Sequence, residues 1–326
     1  MSGEPLAATV VIPARDAAHC VGAAVRAVRD QRDAEGRGVR VIVVDDGSVD
    51  DTAAVARAAG AEVLRGAGEG PAKARNLGVA AAASDLIVFV DADCTPRPGF
   101  LAALLEPFAD AQVGGVKGAY ETEQRELVAR FVQIEYEERY ARMARRRWID
   151  FVDTYAAAYR REVLEEVGGF DERYRLPSTE DQELSFRVVE RGYRLCFVAQ
   201  ARVGHLHAAS LWGYARKKAK IGYYKVATLR RHPGKALEDS HTPGTLKAQL
   251  LLAPLAAVPL LGAPAALTFL ASALPLTRRA LRRDPMVGLV APGLIFVRAL
   301  ALGAGVVAGG LAELGGAGVL PSAERA

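Results

Sequence analysis

Short apolar runs alternate with helix-like segments through the first third of the chain. The runs are ATVVIPA, VRVIVVDDGS (39–48), AEVLRG (61–66) and DLIVFVDAD (85–93). The segments VDDTAAVARAAG and GPAKARNLGVAAAAS lie between them and begin or end at glycine, which commonly borders helices. Near-continuous apolar strands that alternate with helices predict an α/β fold, in which helices cover both faces of a mostly parallel sheet.

Longer elements follow in the middle of the chain. QRELVARFVQIEYEERYARMARRRW predicts a long charged helix, and FVDTYAAAYRREVLEEVGGFDE predicts a strand and a helix that stops at glycine. STEDQELSFRVVERG predicts a helix that is capped by Ser178 or Thr179 and carries acidic residues in its first turn. YRLCFVAQARVGHLH predicts a last strand that leads to His205 and His207.

The last third of the chain has a different pattern. No charged residue occurs from Ala248 to Thr277, and only Arg298 interrupts a second apolar stretch from Pro285 to Ala312. Each stretch is longer than the about 20 residues that a helix needs to cross a bilayer core. They predict membrane-embedded helices over 246–314, after a first domain over 1–235.

Polar residues follow three of the predicted strands, and they are Arg15 with Asp16, Asp45 with Asp46, and Asp91 with Asp93. In open α/β sheets, ligands bind outside the carboxyl ends of the strands. The sequence therefore predicts a binding site at this edge of the sheet.

Asp91 and Asp93 raise a particular question if both lie on a strand. Side chains two residues apart on a strand share a face, so the two carboxylates would lie roughly 5–6 Å apart. At an effective dielectric constant of about 20, their repulsion costs roughly 3 kcal/mol. A divalent metal ion, a buried base or water could offset it. FVDADCT also matches the D-x-D-x-T pattern of haloacid-dehalogenase-like phosphatases, with Asp91 as nucleophile, but that motif should follow the first strand of its domain.

Three further segments carry candidate chemistry. The glycine-rich segment 66–78 carries Lys73 and Arg75 at a helix start, which suits either a diphosphate or a solvated basic surface. Glu180 and Asp181 are either surface acids at a helix start or functional carboxylates. His205 and His207 share a strand face in this prediction and form a possible pair of metal ligands.

Composition adds two constraints. The net charge of +4 and the pI of about 9.0 fit an anionic ligand or an anionic membrane surface. The basic segment 214–235 adjoins the apolar stretches, which favours a lipid surface over nucleic acid. The three cysteines have no metal-ligand spacing, which predicts reduced thiols in a cytosolic domain.

Seven motifs in this order resemble the family 2 inverting glycosyltransferases with the GT-A fold. They are VVIPARD, VVDDGS, GPAKARNLG, FVDADC, GGFDE, TEDQELSFRV and VGHLH, and they extend over about 200 residues. The resemblance implies a nucleotide-sugar donor, most simply a UDP-sugar, and a divalent metal ion, Mg²⁺ or Mn²⁺. It also implies a GT-A domain over 1–235 that transfers a hexosyl or related glycosyl group to a lipid or saccharide acceptor.

The resemblance also implies roles for individual residues. It implies that Pro13, Arg15 and Asp46 lie around the base and the ribose of the donor. It implies that Lys73 and Arg75 lie near the nucleotide or the diphosphate, and that Asp91 faces the ribose or the sugar. It implies Asp93 and His205 as metal ligands and Asp181 as the general base. Arg15 departs from the family pattern, because an aromatic or similar residue often flanks the base at that position. The remaining alternative to an enzyme is a catalytically inert membrane scaffold.

The predicted location is the cell membrane, with the catalytic domain on the cytoplasmic side. By the positive-inside rule the basic segment RRALRR (278–283) should also be cytoplasmic, although a single span would separate it from that domain. A re-entrant hairpin over 248–277, bent at Pro254 and Pro259, would place both on one side. Arg298 would meet either a lipid phosphate or another part of the protein.

Overall fold

Two compact units make up the described part of the chain. The computed structural model describes residues 6–236, 240, 242–256, 258–259, 262–316 and 318–321. The sheet unit comprises the described residues up to Glu121 together with Met143–His205. The helical unit comprises Thr122–Arg142 and the described residues from Leu206 onward. This division differs from the predicted boundaries at 235 and 246.

An eight-stranded mixed sheet forms the centre of the sheet unit. Its strands are β1 (Ala8–Ala14), β2 (Val39–Asp45), β3 (Glu62–Arg65), β4 (Leu86–Val90), β5 (Thr95–Pro96), β6 (Val113–Glu121), β7 (Ala156–Arg160) and β8 (Arg194–Gly204). The strand order is β3-β2-β1-β4-β7-β6-β8-β5. The first four strands in that order are parallel, β7 is antiparallel to both of its neighbours, and β6 and β8 are parallel. The predicted α/β class with a mostly parallel sheet is confirmed.

Six helices accompany the sheet in the described residues of this unit. They are α1 (Val21–Arg29), α2 (Thr52–Ala58), α3 (Pro71–Ala80), α4 (Phe100–Leu105), α6 (Arg161–Glu166) and α7 (Glu180–Glu190). The middle residues of β1, β2 and β4 are fully or almost fully buried, which accounts for their unbroken apolar sequences.

Strand β4 ends earlier than its sequence predicts. Asp91 and Asp93 lie in a turn after Val90, and the backbone N–H of Cys94 donates to the carbonyl of Asp91 at 3.0 Å. The two carboxylates therefore do not share a strand face, and the prediction that placed them on one is wrong. The turn lets each carboxylate find a separate partner.

Five helices form the helical unit in the part of the chain described. They are α5 (Leu127–Met143), α8 (Leu211–Arg231), α9 (Gly244–Leu255), α10 (Gly262–Arg283) and α11 (Pro285–Leu314). The predicted apolar stretch 248–277 is therefore not one continuous helix, because α9 ends at Leu255 and α10 begins at Gly262. Gln249 on α9 donates to the Ser272 hydroxyl on α10 at 3.1 Å, so the two helices pack side by side.

Helix α11 is the one described helix that is long and apolar enough to cross a membrane. It has 30 residues, and its most apolar stretch has a mean hydropathy of 2.0. Glycines on this helix allow a close approach to α8. A Cβ at Gly305 would lie 2.0 Å from the carbonyl oxygen of Ala219, and one at Gly309 would lie 2.5 Å from that of Tyr223. The backbones of α8 and α11 are therefore in direct contact.

A buried polar network connects all five helices of this unit. Arg298 on α11 donates to Glu135 on α5 at 2.6 Å and to Gln249 on α9 at 2.7 Å. Glu135 also accepts from the hydroxyl of Tyr214 at 2.9 Å and pairs with Lys218 at 3.2 Å, both on α8. Arg298 therefore meets another part of the protein, as one of the two sequence alternatives predicts. Gln249 extends the network to α10 through Ser272.

Two positive charges of the network face one negative charge. Burial alone would raise the pKa of Glu135, but Lys218 and Arg298 lower it to about 2. Burial lowers the pKa of Lys218 to about 8, against the opposing effect of Glu135. At neutral pH Glu135 is therefore ionised and holds both cations.

Candidate active site

The carboxyl ends of β1 and β2 lie side by side. Ala14 pairs with Asp45 in register, and the backbone N–H of Asp46 donates to the carbonyl of Ala14 at 2.8 Å. Asp16 has a positive φ of 49°, and its carboxylate accepts from the backbone N–H of Val49 at 2.9 Å. These bonds join the two polar strand ends into one surface.

The carboxylate of Asp46 holds the glycine-rich segment in place. It accepts backbone N–H bonds from Gly68 at 2.9 Å, Glu69 at 3.1 Å and Gly70 at 2.7 Å. Gly70 has a φ of 105°, and a Cβ there would lie 2.3 Å from the carbonyl oxygen of Arg175. Only glycine fits this position, because the conformation and the close approach both exclude a side chain.

Three of the predicted donor-site residues surround this segment. Arg15 is exposed, and its guanidinium lies 3.4 Å from the carbonyl oxygen of Gly68. Pro13 is half-buried near the end of β1. Lys73 is half-buried on the first turn of α3 and pairs with Glu69 at 2.6 Å. Arg15 and Lys73 thus place two cations beside the glycine-rich segment.

Arg75 is the buried cation that lies beside the Asp91 carboxylate. Its guanidinium donates to Asp91 at 3.2 Å and to Glu180 at 3.0 Å, so it connects the end of β4 to the start of α7. Burial alone would lower the pKa of Arg75, but Asp91, Glu180 and Asp181 raise it above its ordinary value. The pKa of Asp91 is raised, chiefly by burial, against the opposing effect of Arg75.

Asp93 and His205 meet on the other side of the turn. Nδ1 of His205 lies 3.4 Å from Oδ2 of Asp93, and 3.8 Å from Sγ of the buried Cys94. One ligand atom from each of the three residues lies within 4.8 Å of the others, which is a spacing that a metal ion can bridge. Tyr120 stacks on the His205 ring with centroids 4.3 Å apart and fixes the orientation of the imidazole.

Asp181 lies in the first turn of α7, next to Glu180. Burial and the nearby Glu180 charge raise the pKa of Asp181 to about 7, against the opposing effect of Arg75. Its Oδ1 accepts from the backbone N–H of Gln182 at 2.8 Å. This carboxylate is therefore partly protonated at neutral pH.

Side chains from neighbouring elements hold the segment that leads to α7. Asn76 on α3 donates to the carbonyl of Phe170 at 2.9 Å and accepts from its backbone N–H at 2.8 Å. Arg187 on α7 donates to the carbonyl of Gly169 at 2.8 Å. The backbone of the GGF turn is thus fixed from both sides.

Thr179 directly precedes α7, but its side chain makes no capping hydrogen bond.

His205 and His207 do not form a pair on one strand face. Strand β8 ends at Gly204, so both residues follow the strand. His207 lies in the helical unit, where its Nε2 is 2.9 Å from Oε1 of Gln133 and its ring stacks on Tyr136. The prediction of a shared face is therefore wrong, and His205 is the histidine that approaches Asp93.

Sequence reasoning missed two residues of this region and one long-range contact. Cys94 adjoins the predicted ligand Asp93, and the thiol's proximity to His205 could have been suspected only from an assumed turn. Tyr120 had no signal, since an aromatic residue at a strand end usually belongs to the core. Glu180 was visible as a charged neighbour of Asp181, but its contact with Arg75 spans 105 positions.

A family model described as glycosyltransferase like family 2 matches residues 5–223. The chain belongs to glycosyltransferase family 2. The match extends over the whole of the surface built by Arg15, Asp46, Arg75, Asp93 and Asp181, so family membership replaces the phosphatase alternative for FVDADCT.

Two relatives illustrate the sequence similarity of this glycosyltransferase. A pre-mycofactocin glycosyltransferase from Mycobacterium tuberculosis (strain CDC 1551 / Oshkosh) is 35% identical over 254 residues, which cover 75% of this chain and 52% of that protein. The succinoglycan biosynthesis protein ExoU from Rhizobium meliloti (strain 1021) is 40% identical over 107 residues, or 31% of this chain and 30% of that protein. The chain spans about half the length of the first relative.

A solved structure supports the fold. The mannosyltransferase PcManGT from Pyrobaculum calidifontis, in complex with GDP-Man and Mn²⁺, superimposes with a TM-score of 0.58 at 21% identity. The alignment covers 94% of this chain and 86% of that protein. The GT-A fold predicted from the sequence is therefore confirmed.

Proposed function

We propose that this glycosyltransferase moves a hexosyl or related glycosyl group from a nucleotide-diphosphate donor to an acceptor hydroxyl, with inversion and with a divalent metal ion. The observation that carries the proposal is the arrangement around Arg75. Its guanidinium joins Asp91 at the end of β4 to Glu180 at the start of α7, and Asp181 stands next to Glu180. A donor-binding strand end and a candidate base are thus connected through one buried side chain.

The residues around Asp93 fit a divalent metal ion. A carboxylate and an imidazole lie 3.4 Å apart, and both are ordinary ligands of divalent ions. Phosphate oxygens of the donor would complete the coordination, as is usual for Mg²⁺ and Mn²⁺. Burial is the main cause that raises the pKa of Cys94 well above its ordinary value. Asp93 and His205 are the proposed ligands, because a thiolate suits softer metals than Mg²⁺ or Mn²⁺. A metal ion bound there would stabilise the charge of the leaving diphosphate.

The proposed positions of the donor follow from the strand ends. Pro13 and Arg15 border the base of the donor. Asp46 supports the base-binding region indirectly, because its buried carboxylate holds the glycine-rich segment and does not face solvent. Lys73 is the proposed cation for the diphosphate. Asp91 faces the ribose or the sugar, and Arg75 keeps that carboxylate in position. A UDP-sugar remains the proposed donor, whereas PcManGT was solved with GDP-Man.

Asp181 is the proposed general base. It takes the proton of the acceptor hydroxyl as the oxygen attacks the anomeric carbon from the face opposite the diphosphate, which inverts that carbon. Because burial and Glu180 raise the pKa of Asp181 to about 7, the carboxylate is a stronger base than an ordinary aspartate. Glu180 is already engaged by Arg75, so it is the less available of the two.

The proposed acceptor is a lipid or saccharide hydroxyl, and the proposed location is the cytoplasmic face of the cell membrane. Helix α11 and the basic helix α8 support attachment to a membrane. The competing proposal is an inert membrane scaffold, which binds without transfer. No nucleic-acid partner is proposed.

Transfer from a panel of nucleotide sugars tests the base assignment. Asp181→Asn should lower the transfer rate by about 10²–10⁴ and leave the donor Kd nearly unchanged, since the amide cannot take a proton. Glu190→Gln, at the exposed far end of the same helix, is the matched control and should keep the rate. If Asp181→Asn transfers normally while Glu180→Gln does not, Glu180 is the base. Absence of transfer by the wild-type chain with every donor and either metal ion would favour the scaffold.

A further inference from the structure

One face of α11 carries exposed apolar side chains near its start, in its middle and near its end. Met286, Leu289, Leu300, Val307 and Leu311 form this face, and we call them the apolar face. At 100° per residue, these positions fall within one narrow sector of the helix. Val290 and Leu314 are exposed beside it, and Val306 is exposed on another side of the helix. Exposed apolar surface of this extent marks an interaction site.

Charged residues of other helices hold the opposite face of α11. Asp284 just before the helix pairs with Arg130 at 3.2 Å, Arg298 in its middle pairs with Glu135 at 2.6 Å, and Glu313 near its end pairs with Arg230. Positions 284, 298 and 313 lie on the side opposite the apolar face by the same helical count. The side of α11 opposite the apolar face is thus held by ion pairs to α5 and α8 at its start, middle and end.

The helices packed on α11 argue against a simple transmembrane helix. The ion pairs at its two ends lie about 43 Å apart along the axis, so both would stand outside the about 30 Å of a bilayer's hydrocarbon core and do not decide the question. If α11 crossed the bilayer, however, α8 would enter the hydrocarbon with it, and α8 exposes the charged side chains of Arg216 and Lys217. Helix α8 would accompany α11, because Gly305 lies against the backbone of Ala219.

We infer that the helical unit binds one leaflet of an anionic bilayer with α11 parallel to the membrane plane and its apolar face toward the acyl chains. The charged side then remains in the headgroup region and in water. Arg278 and Arg282 are exposed near the end of α10 and supply positive charge for anionic headgroups. This inference rests on the membrane attachment in the proposed function. It differs from the sequence prediction in that α11 lies on one side of the bilayer and does not cross it.

In-plane attachment also removes the orientation conflict that the sequence raised. A helix that does not cross the membrane leaves residues 278–283 and the sheet unit on the same side. The positive-inside rule is then satisfied without a re-entrant hairpin.

Depth-dependent fluorescence quenching tests the inference on the full-length chain. Single tryptophans are introduced as Met286→Trp, Leu300→Trp and Leu311→Trp in a Trp148→Phe, Trp212→Phe background, and each variant is bound to vesicles of phosphatidylglycerol and phosphatidylcholine. Phosphatidylcholine brominated at shallow or deep acyl positions supplies the quencher, and unbrominated vesicles of the same composition are the control. These apolar positions are exposed, so tryptophan should not disturb the core.

The expected result is that shallow bromines quench all three tryptophans best and to the same extent within about twofold. A spanning α11 would give a different profile, because positions 286 and 300 lie about 21 Å apart along the axis. Strongest quenching of Leu300→Trp by deep bromines, with the two end positions shallow, would overturn the inference and leave the transfer reaction intact. Absence of quenching at all three positions in an active enzyme would overturn both it and the proposed membrane attachment. A stable dimer that hides the three positions from vesicles would assign the face to a second copy instead.

Discussion

Glu135→Gln should strongly destabilise the helical unit. The side chain keeps its size and can still accept hydrogen bonds, but it loses the charge that faces Arg298 and Lys218. Glu135 is only 3% exposed, so water cannot replace the lost charge. Two cations would then share a buried site without a counter-charge, and Lys218 would lose its proton to relieve part of the repulsion.

The magnitude follows from the pKa of Glu135. The folded protein lowers that pKa from 4.5 to about 2, and each pKa unit corresponds to about 1.4 kcal/mol, so the ionised form is favoured by about 3 kcal/mol. Removal of one partner from a buried ion pair generally costs about 3–5 kcal/mol. Because Lys218 can lose its proton, we expect the lower end of that range, a loss of about 3 kcal/mol in the free energy of unfolding.

Urea unfolding of the full-length chain in mild detergent measures this loss, with the fluorescence of Trp212 on α8 as the probe in a Trp148→Phe background. Glu138→Gln is the matched control on the same helix, since Glu138 pairs with Arg279 at a half-exposed site and should contribute at most about 1 kcal/mol. The folded-state pKa of Glu135 is depressed, so its stabilisation is complete above pH 4.5 and disappears as the pH falls toward 2. The difference between wild type and Glu135→Gln should therefore shrink over that interval. If Glu135→Gln costs no more than Glu138→Gln at pH 7, the network is not a stabilising contact and this reasoning fails.

Three further predictions concern the site and the packing of α11. Asp93→Asn should weaken metal-dependent donor binding at least tenfold in calorimetry without lowering the free energy of unfolding, and full turnover in excess chelator would refute the metal assignment. The kcat/KM of the wild type should rise as the pH increases through an apparent pKa of about 7, because Asp181 acts as a base only in its deprotonated form. A pH profile that is flat from pH 6 to 8 would exclude this base. Gly305→Ala should destabilise the helical unit in thermal unfolding because its Cβ would lie 2.0 Å from the Ala219 carbonyl, whereas Gly310→Ala meets nothing within 4 Å and should stabilise it by up to about 1 kcal/mol. Equal effects of the two alanines would contradict the close contact of α8 and α11.

The polar strand ends were predictable because they depend on local sequence. An apolar run that ends in Asp45 or Val90 identifies both the strand and the edge where its polar residues emerge. The long-range partners of the buried charged residues were not predictable. Arg75 meets Glu180 across 105 positions, and Arg298 meets Glu135 across 163. Charge pairing over such distances depends on the tertiary packing, which no periodicity encodes.

Asp46 shows a subtler limit of the sequence. Its position after β2 correctly identified it as part of the polar edge, but a carboxylate there suggests an exposed ligand contact. In the structure it accepts three backbone amides of the glycine-rich segment instead. A sequence pattern indicates which side chains reach an edge, whereas the backbone conformation of a neighbouring loop decides what they contact.

The interruption of the sheet unit by α5 has a practical consequence for anyone who wants a water-soluble catalytic fragment. Deletion of everything after residue 205 would remove α8 to α11 but leave α5 in the chain, between Glu121 and Met143. Phe131 and Ile134, which pack among the apolar residues of the helical unit, would then face the buffer together with the unpaired carboxylate of Glu135. Such a fragment should precipitate on expression even if its sheet is intact. Replacement of residues 122–142 by a short polar linker, in the same gene, offers a better starting point for crystallisation or assay in the absence of detergent.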